Sequence, residues 1–331
     1  MIHLQRVLLF IFLINIANAG VKSENLLTDT SNYIGAFSDD TKLNSFMIIG
    51  SHDSGMSIAD HCTWGVQKKN TITQYFSVFK QAENGARYFD VRPDFDHNEW
   101  VSFHRTSFLG CNGQKILDIF NDARSFLNQH PSEFIIFKIS HTRYNNLAKN
   151  FVTEIILQND SIQSVLFKSN NKSLNLNEIE LDNIRGKLIL IFDNEYSEFI
   201  NTSGGIFSYQ DIITIEDEFN KNYGVFDIYS NSSSPSFIFS DQLDKLKSYG
   251  GLNKKTSFLF SWTATAGIGD IEEVTKSLNS SKLVRILDTI KNDSNIPAPN
   301  IFYTDFITKE KSKQILEINK SIKVLKAFYD D

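Results

Sequence analysis

Short apolar runs that end in polar chemistry recur along this 331-residue chain and alternate with stretches of helical period. Ser45-Phe46-Met47-Ile48-Ile49-Gly50 is β-prone, then breaks into Ser51-His52-Asp53-Ser54-Gly55. A second run over 86–91 breaks into Arg92-Pro93, and a third over 99–103 breaks into His104-Arg105, with a turn at 94–98 between them. Further strands are predicted over 133–140, 187–192, 212–215, 256–262 and 300–306. Helical spacing covers 71–84, 116–129, 147–167, 271–289 and 309–328. Strand and helix alternate throughout, which predicts an α/β fold, a parallel sheet closed as a distorted TIM-like (β/α) barrel in a single domain. The Ser- and Asn-rich stretch 197–236 carries the weakest pattern.

The ends of the first three runs gather reactive side chains. In an α/β barrel the C-terminal strand ends share one rim, where catalytic groups collect. Asp90 and Arg92 are two residues apart on one strand, so they face the same way while Val91 faces the other. His52, Asp53, Asp90, Arg92 and His104 therefore form a candidate constellation. Two imidazoles and a guanidinium suit acid–base chemistry on a phosphate diester. Each residue alone has a plainer reading: a strand-end His is more often structural, as expected for His61, His97 and His130. Asp90 alone would be a cap and Arg92 half of a surface pair. Their co-occurrence on consecutive strands favours the joint reading.

Composition narrows the setting. Arg6, the apolar run 7–16 and Ala17-Asn18-Ala19 have the pattern of a secretory signal peptide over 1–19, leaving a domain at 20–331. The C-terminal Lys-Ala-Phe-Tyr-Asp-Asp lacks a lipid-anchor signal, so a secreted protein is expected. Asn-x-Ser/Thr sequons begin at Asn159, Asn171, Asn201, Asn231, Asn279, Asn292 and Asn319, consistent with a glycoprotein, and none interrupts the motif region. In an oxidising compartment Cys62 and Cys111, in corresponding loops, are expected to form a disulfide that braces the rim. A net charge of −6 without a basic stripe argues against a nucleic-acid partner. The 28 Phe could supply an apolar rim for lipid, although core packing accounts for most of them. A monomer is expected.

With Gly50-Ser51-His52-Asp53-Ser54, 87–92, His104, Pro131-Ser132-Glu133-Phe134-Ile135-Ile136 and Arg185-Gly186-Lys187 in this order, the chain resembles the X-domain of phosphatidylinositol-specific phospholipase C. The likeness is to the small single-domain branch and runs from about Ser45 to Phe306. It implies that His52 is the general base toward the inositol 2-hydroxyl, supported by Asp305 from Phe302-Tyr303-Thr304-Asp305-Phe306. It implies that His104 is the general acid for the diacylglycerol oxygen, paired with Asp53. Arg92 would neutralise the phosphoryl oxygens and Asp90 would hold Arg92. A cyclic inositol phosphodiester forms first in that chemistry. An arginine where the calcium-dependent branch has acidic ligands implies no metal and no other cofactor, with a phospholipid at a membrane surface as partner.

The headgroup positions depart from the family. Ser140-His141 stands where a lysine is expected after the fourth strand, and Phe192-Asp193 where an arginine is expected. Asp217 and Phe219 align with an inositol-contacting Asp and aromatic pair. Ser140, His141, Asp193, Asp217 and Phe219 are thus the candidate substrate contacts, and the headgroup stays open. Two other classes stay open as well. One is a metal-dependent glycerophosphodiester phosphodiesterase or phospholipase D-like barrel enzyme. The other is a catalytically silent secreted lipid-binding protein.

Overall fold

The computed structural model describes residues 27–106, 108–142, 147–214, 218–267 and 269–322; the expected leader at 1–19 and Asp217 lie outside the described residues. Its strands are β1 (Ile48–Ser51), β2 (Ala86–Val91), β3 (Pro93–Asp96), β4 (Glu99–Thr106), β5 (Leu109–Lys115), β6 (Ile135–Ile139), β7 (Leu188–Phe192), β8 (Ile206–Asp211), β9 (Tyr223–Phe226), β10 (Ser257–Trp262) and β11 (Ile301–Thr304). Eight of them close a parallel barrel in the order β1-β11-β10-β9-β8-β7-β6-β2. Helices such as Val78–Glu83, Ile116–Gln129, Pro235–Tyr249 and Lys309–Ser321 cover it. The β7–β8 and β8–β9 connections carry no α-helix among the described residues, which makes this the distorted TIM-like barrel the pattern predicts.

Strands covered on both faces read as unbroken apolar runs, and β7, Leu188-Ile189-Leu190-Ile191-Phe192, is buried throughout. Outward side chains pack on the helices: Phe137 of β6 meets Phe89 of β2 and Phe120 of Ile116–Gln129, at ring-centroid distances of 5.7 and 5.2 Å. The inward set turns polar toward the C-terminal rim. By strand alternation Tyr88, Asp90, Lys138, Tyr209 and Tyr303 all project into the barrel.

Away from the rim, Arg87 faces outward from β2 and is fully buried. Its Nε and Nη2 donate to Glu133 Oε2 at 2.8 and 2.5 Å, and its other donors reach the main-chain oxygens of Thr30, Ser31, Ala82 and Ala86. Glu133 also accepts the amides of Ile34 and Gly35. A buried ion pair is tolerated when its remaining donors and acceptors are satisfied in this way. The Pro131-Ser132-Glu133 motif thus ties the N-terminal segment to the barrel.

Four expectations need correction. The third motif run is not a barrel strand: β4 belongs to a separate antiparallel sheet, β3-β4-β5. His97 and Asn98, at φ +50° and +63°, make the tight turn that folds β4 back on β3, so no crossover is required. The 212–215 strand is replaced by β8 and β9, both short and hidden in the Ser/Asn-rich stretch; residues 212–214 are not in a strand. The 147–167 helix is broken into Leu147–Asn150, a π-helical Phe151–Leu157 and Asp160–Gln163, which Asn159 caps. The 71–84 helix shortens to Val78–Glu83 because 71–76 forms a turn over Met56, whose carbonyl accepts the amides of Thr73 and Gln74.

Candidate active site

Past β1 the chain turns at Asp53, whose φ of +42° lies in the left-handed region that Asp tolerates better than most residues. The turn is pinned to β2, with the Ser54 amide 2.9 Å from the Asp90 carbonyl oxygen. Gly55 lets the antiparallel sheet approach: a Cβ there would overlap Ser102 of β4, whose hydroxyl donates to the Gly55 oxygen at 3.1 Å. This contact docks β4, and with it His104, against the end of β1.

The groups then interlock. His52 Nδ1 lies 2.7 Å from Asp305 Oδ1, and His52 Nε2 lies 3.5 Å from Asp53 Oδ2. His104 Nδ1 is 3.3 Å from that same Asp53 oxygen and 3.2 Å from the Thr71 carbonyl. Arg92 reaches Asp53 Oδ1 through Nε and Asp90 Oδ2 through Nη2, each at 2.7 Å. Asp90 is held further by the Tyr303 hydroxyl at 2.9 Å and Ser140 Oγ at 3.3 Å. Both Asp53 oxygens make ionic contacts rather than aligned hydrogen bonds. The His52, His104 and Arg92 side chains keep 21%, 25% and 22% exposure, whereas Asp53 and Asp305 have none. A ligand therefore meets two imidazoles and a guanidinium, with the carboxylates behind them.

Each tautomer follows from these partners. Nδ1 of His52 donates to Asp305, which leaves Nε2 as the atom that takes a proton. Nδ1 of His104 faces two acceptors, so its acidic proton would also sit on Nε2. Burial disfavours the His52 imidazolium, but Asp53 and Asp305 together outweigh it and raise its pKa to about 9. His104 is lowered instead: burial dominates, Asp53 opposes it, and Arg92 with His52 adds to the lowering. Burial alone would raise Asp90, yet Arg92 and Lys138 hold it well below the usual carboxylate range. Near neutral pH the ligand-free site carries its proton on His52.

Among the described residues one cluster, His52, Asp53 and Asp90, brings metal-ligating atoms within 4.8 Å of one another. The Arg92 guanidinium already engages both carboxylates, so a fixed organic cation occupies the place where an ion would be drawn.

The sequence-derived headgroup candidates fare unevenly. Ser140 is buried and donates to Asp90, a supporting contact. His141 is exposed at the rim with φ +58°. Asp193 is half-buried at the end of β7, where it accepts the Glu195 amide at 3.2 Å; burial and Glu195 push its pKa up to about 6. Phe219 requires correction: it precedes β9 and packs on its outward side, since a Cβ on Gly224 would stand 2.5 Å from the Phe219 ring. The residues that leave β9 toward the rim are Asp227 and, two further on, the exposed Tyr229.

Sequence reasoning missed an interior polar group. Lys138 Nζ donates to Asp227 Oδ2 at 2.8 Å and lies 4.3 Å from the Tyr209 ring centroid, while the Tyr209 hydroxyl donates to Asp227 at 3.0 Å. The available signal was a lysine in the apolar run Ile135–Ile139, at the inward parity shared with Ser140.

Cys62 and Cys111 form the expected disulfide. Cys111 pairs in register with His104, so the bridge ties the loop after β1 directly to the His104 sheet. Beyond it, Thr63 bonds the Phe108 and Gly110 oxygens and brings together Trp64, 96% exposed, Phe108, 68%, and Leu109, 48%. No helix among the described residues is long and apolar enough to cross a membrane.

No protein-family model matches the chain. Over 166 residues, half of the chain, it is 28% identical to the 1-phosphatidylinositol phosphodiesterase of Listeria monocytogenes, covering 49% of that protein. Over 80 residues it is 35% identical to human PI-PLC X domain-containing protein 2, covering 25% of it. The chain thus matches half or less of the length of these curated relatives. A solved phosphatidylinositol-specific phospholipase C of Staphylococcus aureus superposes with a TM-score of 0.65 at 19% identity, covering 89% of this chain and 99% of the other. The enzyme from Listeria monocytogenes gives 0.61 at 20% identity, with 88% and 99% covered. The chain is a homologue of bacterial phosphatidylinositol phosphodiesterase and of human PI-PLC X domain-containing protein 2, with the barrel fold of the solved phosphatidylinositol-specific phospholipases C.

Proposed function

We propose that this protein is a phospholipase C-type phosphoric diester lyase that cleaves phosphatidylinositol or a related inositol lipid through a cyclic phosphodiester. The observation that carries the reading is Asp53 standing between two imidazoles while Arg92 binds it from the side. His52 Nε2 takes the proton of the inositol 2-hydroxyl, and that oxygen attacks phosphorus. The bond from phosphorus to the glycerol oxygen breaks, and His104 Nε2 delivers a proton to the leaving oxygen. Arg92 spreads the charge that develops on the phosphoryl oxygens, in a site that excludes much of the solvent. The anionic diester draws a proton toward His104, which offsets the ligand-free preference for His52.

The inositol ring lies over Lys138, Asp227 and Tyr229 in this reading. Trp64, Phe108 and Leu109 form an apolar edge beside His104 that rests on the lipid surface. The protein acts as one domain over 20–331, secreted after loss of the leader 1–19, as a monomer and without a metal. A metal-dependent phosphodiesterase would need the carboxylates that Arg92 engages. A binding-only protein would have no use for two half-buried imidazoles flanking one buried carboxylate.

The roles of the two histidines are separated by the leaving group. An inositol phosphodiester with an aryl leaving group needs no acid. His104→Ala should regain most activity on it relative to the lipid, whereas His52→Ala should stay inactive on both. Rescue of His52→Ala instead would reverse the assignment, and full activity of both variants would end the proposal.

A further inference from the structure

We propose that Lys311 is a positioning residue for the Asp305–His52 pair: its ammonium clamps the main chain at Asp305 and balances that buried carboxylate. The inference rests on reading His52 as the base. Asp305 stands one residue past β11 with a fully buried side chain. The next residue, Phe306, has φ +46°, a conformation a bulky side chain adopts only where its surroundings impose it. Three contacts impose it here. The Phe306 amide donates to the Thr73 oxygen at 2.8 Å, and the Ile307 amide to Gln74 Oε1 at 3.1 Å. The third is Lys311, whose Nζ donates to the Asp305 carbonyl and, at 3.2 Å, to Thr304 Oγ1.

The sequence places Lys311 for this task. Thr308 caps the helix Lys309–Ser321 by accepting the Lys311 amide at 3.3 Å, so the Lys311 side chain starts in the first turn, against the end of β11. Lys311 is 8% exposed and has no carboxylate at ion-pair distance among the described residues. A buried lysine without such a partner is costly, and Met would fill the same space without the charge. A nearby carboxylate that must stay ionised to hold an imidazolium gives the charge its use. Asp305 is the charge that acts on Lys311, and burial still brings the lysine pKa down to about 7. Other charged groups on the packed elements face outward. Arg285 and Asp288 of the helix Val284–Asn292 lie at the surface, where Asp288 pairs with the half-buried Lys291 at 3.1 Å, and Lys309, Glu310 and Lys313 on its own helix are exposed. Strand β1 contributes no charge, and Thr275 reaches Asp305 Oδ2 at 3.5 Å as a neutral donor.

Nitrogen-15 NMR of the histidine rings in the substrate-free protein tests this without any assumption about turnover. Above the pH at which His104 titrates, the wild-type His52 ring resonances should shift in two steps, a small one near pH 7 as Lys311 loses its proton and the main one near pH 9. Lys311→Met should abolish the first step and keep the second. In turnover assays it should lower kcat by about 10- to 100-fold at unchanged KM, the scale of a misplaced catalytic group. Lys311→Gln serves the same comparison if the Met variant does not fold, and the wild-type titration needs no variant. A first step that persists in both variants, or a wild type without one, overturns the proposal. Loss of the step with no turnover on any inositol lipid would keep Lys311 in its role and sink the catalytic reading instead.

Discussion

Replacing Asp305 by Asn keeps a side-chain oxygen for His52 Nδ1 and removes one buried charge. His52 stands at about 9 against an ordinary 6.5, a rise of about 2.5 units, or about 3.4 kcal/mol at 1.36 kcal/mol per unit. Asp53 and Asp305 supply more than this, because burial and Arg92 pull the other way. Half of the net rise assigned to Asp305 is about 1.2 units, or about 1.7 kcal/mol. With the base pKa above the acid pKa, the productive form (neutral His52, protonated His104) is a small fraction at every pH. Its bell then breaks at the His104 value on the acid side and at the His52 value on the alkaline side. Initial rates of cyclic product release from monomeric substrate, measured between pH 5 and 10, give kcat/KM and both breaks. In the wild type the alkaline break should fall near 9, and in Asp305→Asn it should drop below about 8 while the acid break holds. An alkaline break that stays near 9 in the variant would refute the claim that Asp305 governs the base.

The same charge arrangement affects stability. His52 has a raised folded-state pKa, so its contribution is complete below pH 6.5 and is lost as pH rises through about 9. Lys311, brought down to about 7, acts in the opposite sense over the same pH range, so the His52 contribution is read in the Lys311→Met protein, where urea unfolding should show the stability falling by up to about 3 kcal/mol across that window, with a smaller fall when Asp305→Asn is added. The Cys62–Cys111 bridge closes a loop over a sequence separation of 49. Replacing both by Ser should cost about 4 kcal/mol in the same unfolding experiment, with the loss of His104 activity preceding global unfolding as temperature rises. Arg87→Met leaves Glu133 buried without its cation; a loss of about 3–5 kcal/mol is expected, partly recovered by Glu133→Gln, and a loss below about 1 kcal/mol would contradict the pairing.

The barrel was legible because strands covered on both faces have little choice but to be mostly apolar, as β7 is throughout and β6 is but for Lys138. The candidate site was legible because polar residues cluster where such runs stop. β8 and β9 were not: Ser208 and Gly224 interrupt their apolar character, and each borrows stability from neighbours already in register. Alignment of Phe219 with a headgroup aromatic failed for this reason, because it placed the rim before β9 rather than after it. Lys138 was passed over since a single lysine in an apolar strand gives no hint of the Asp227 across the barrel. The sequons illustrate the limit of motifs. Asn319 is fully buried, with its amide bonded to the Met47 main chain, and Asn279 accepts the Trp262 indole, so both have structural work that the triplet does not reveal.

The central claim, intramolecular phosphodiester cleavage by His52 and His104 with Arg92 in place of a metal ion at the phosphate, is tested most directly by phosphorus NMR. Purified protein is mixed with phosphatidylinositol vesicles in EDTA. A cyclic inositol phosphate resonance should grow, and neither His52→Ala nor His104→Ala should produce it. Silence in EDTA followed by turnover on adding Ca²⁺ or Mg²⁺ would contradict the role given to Arg92, and silence under every condition would contradict the lyase reading itself.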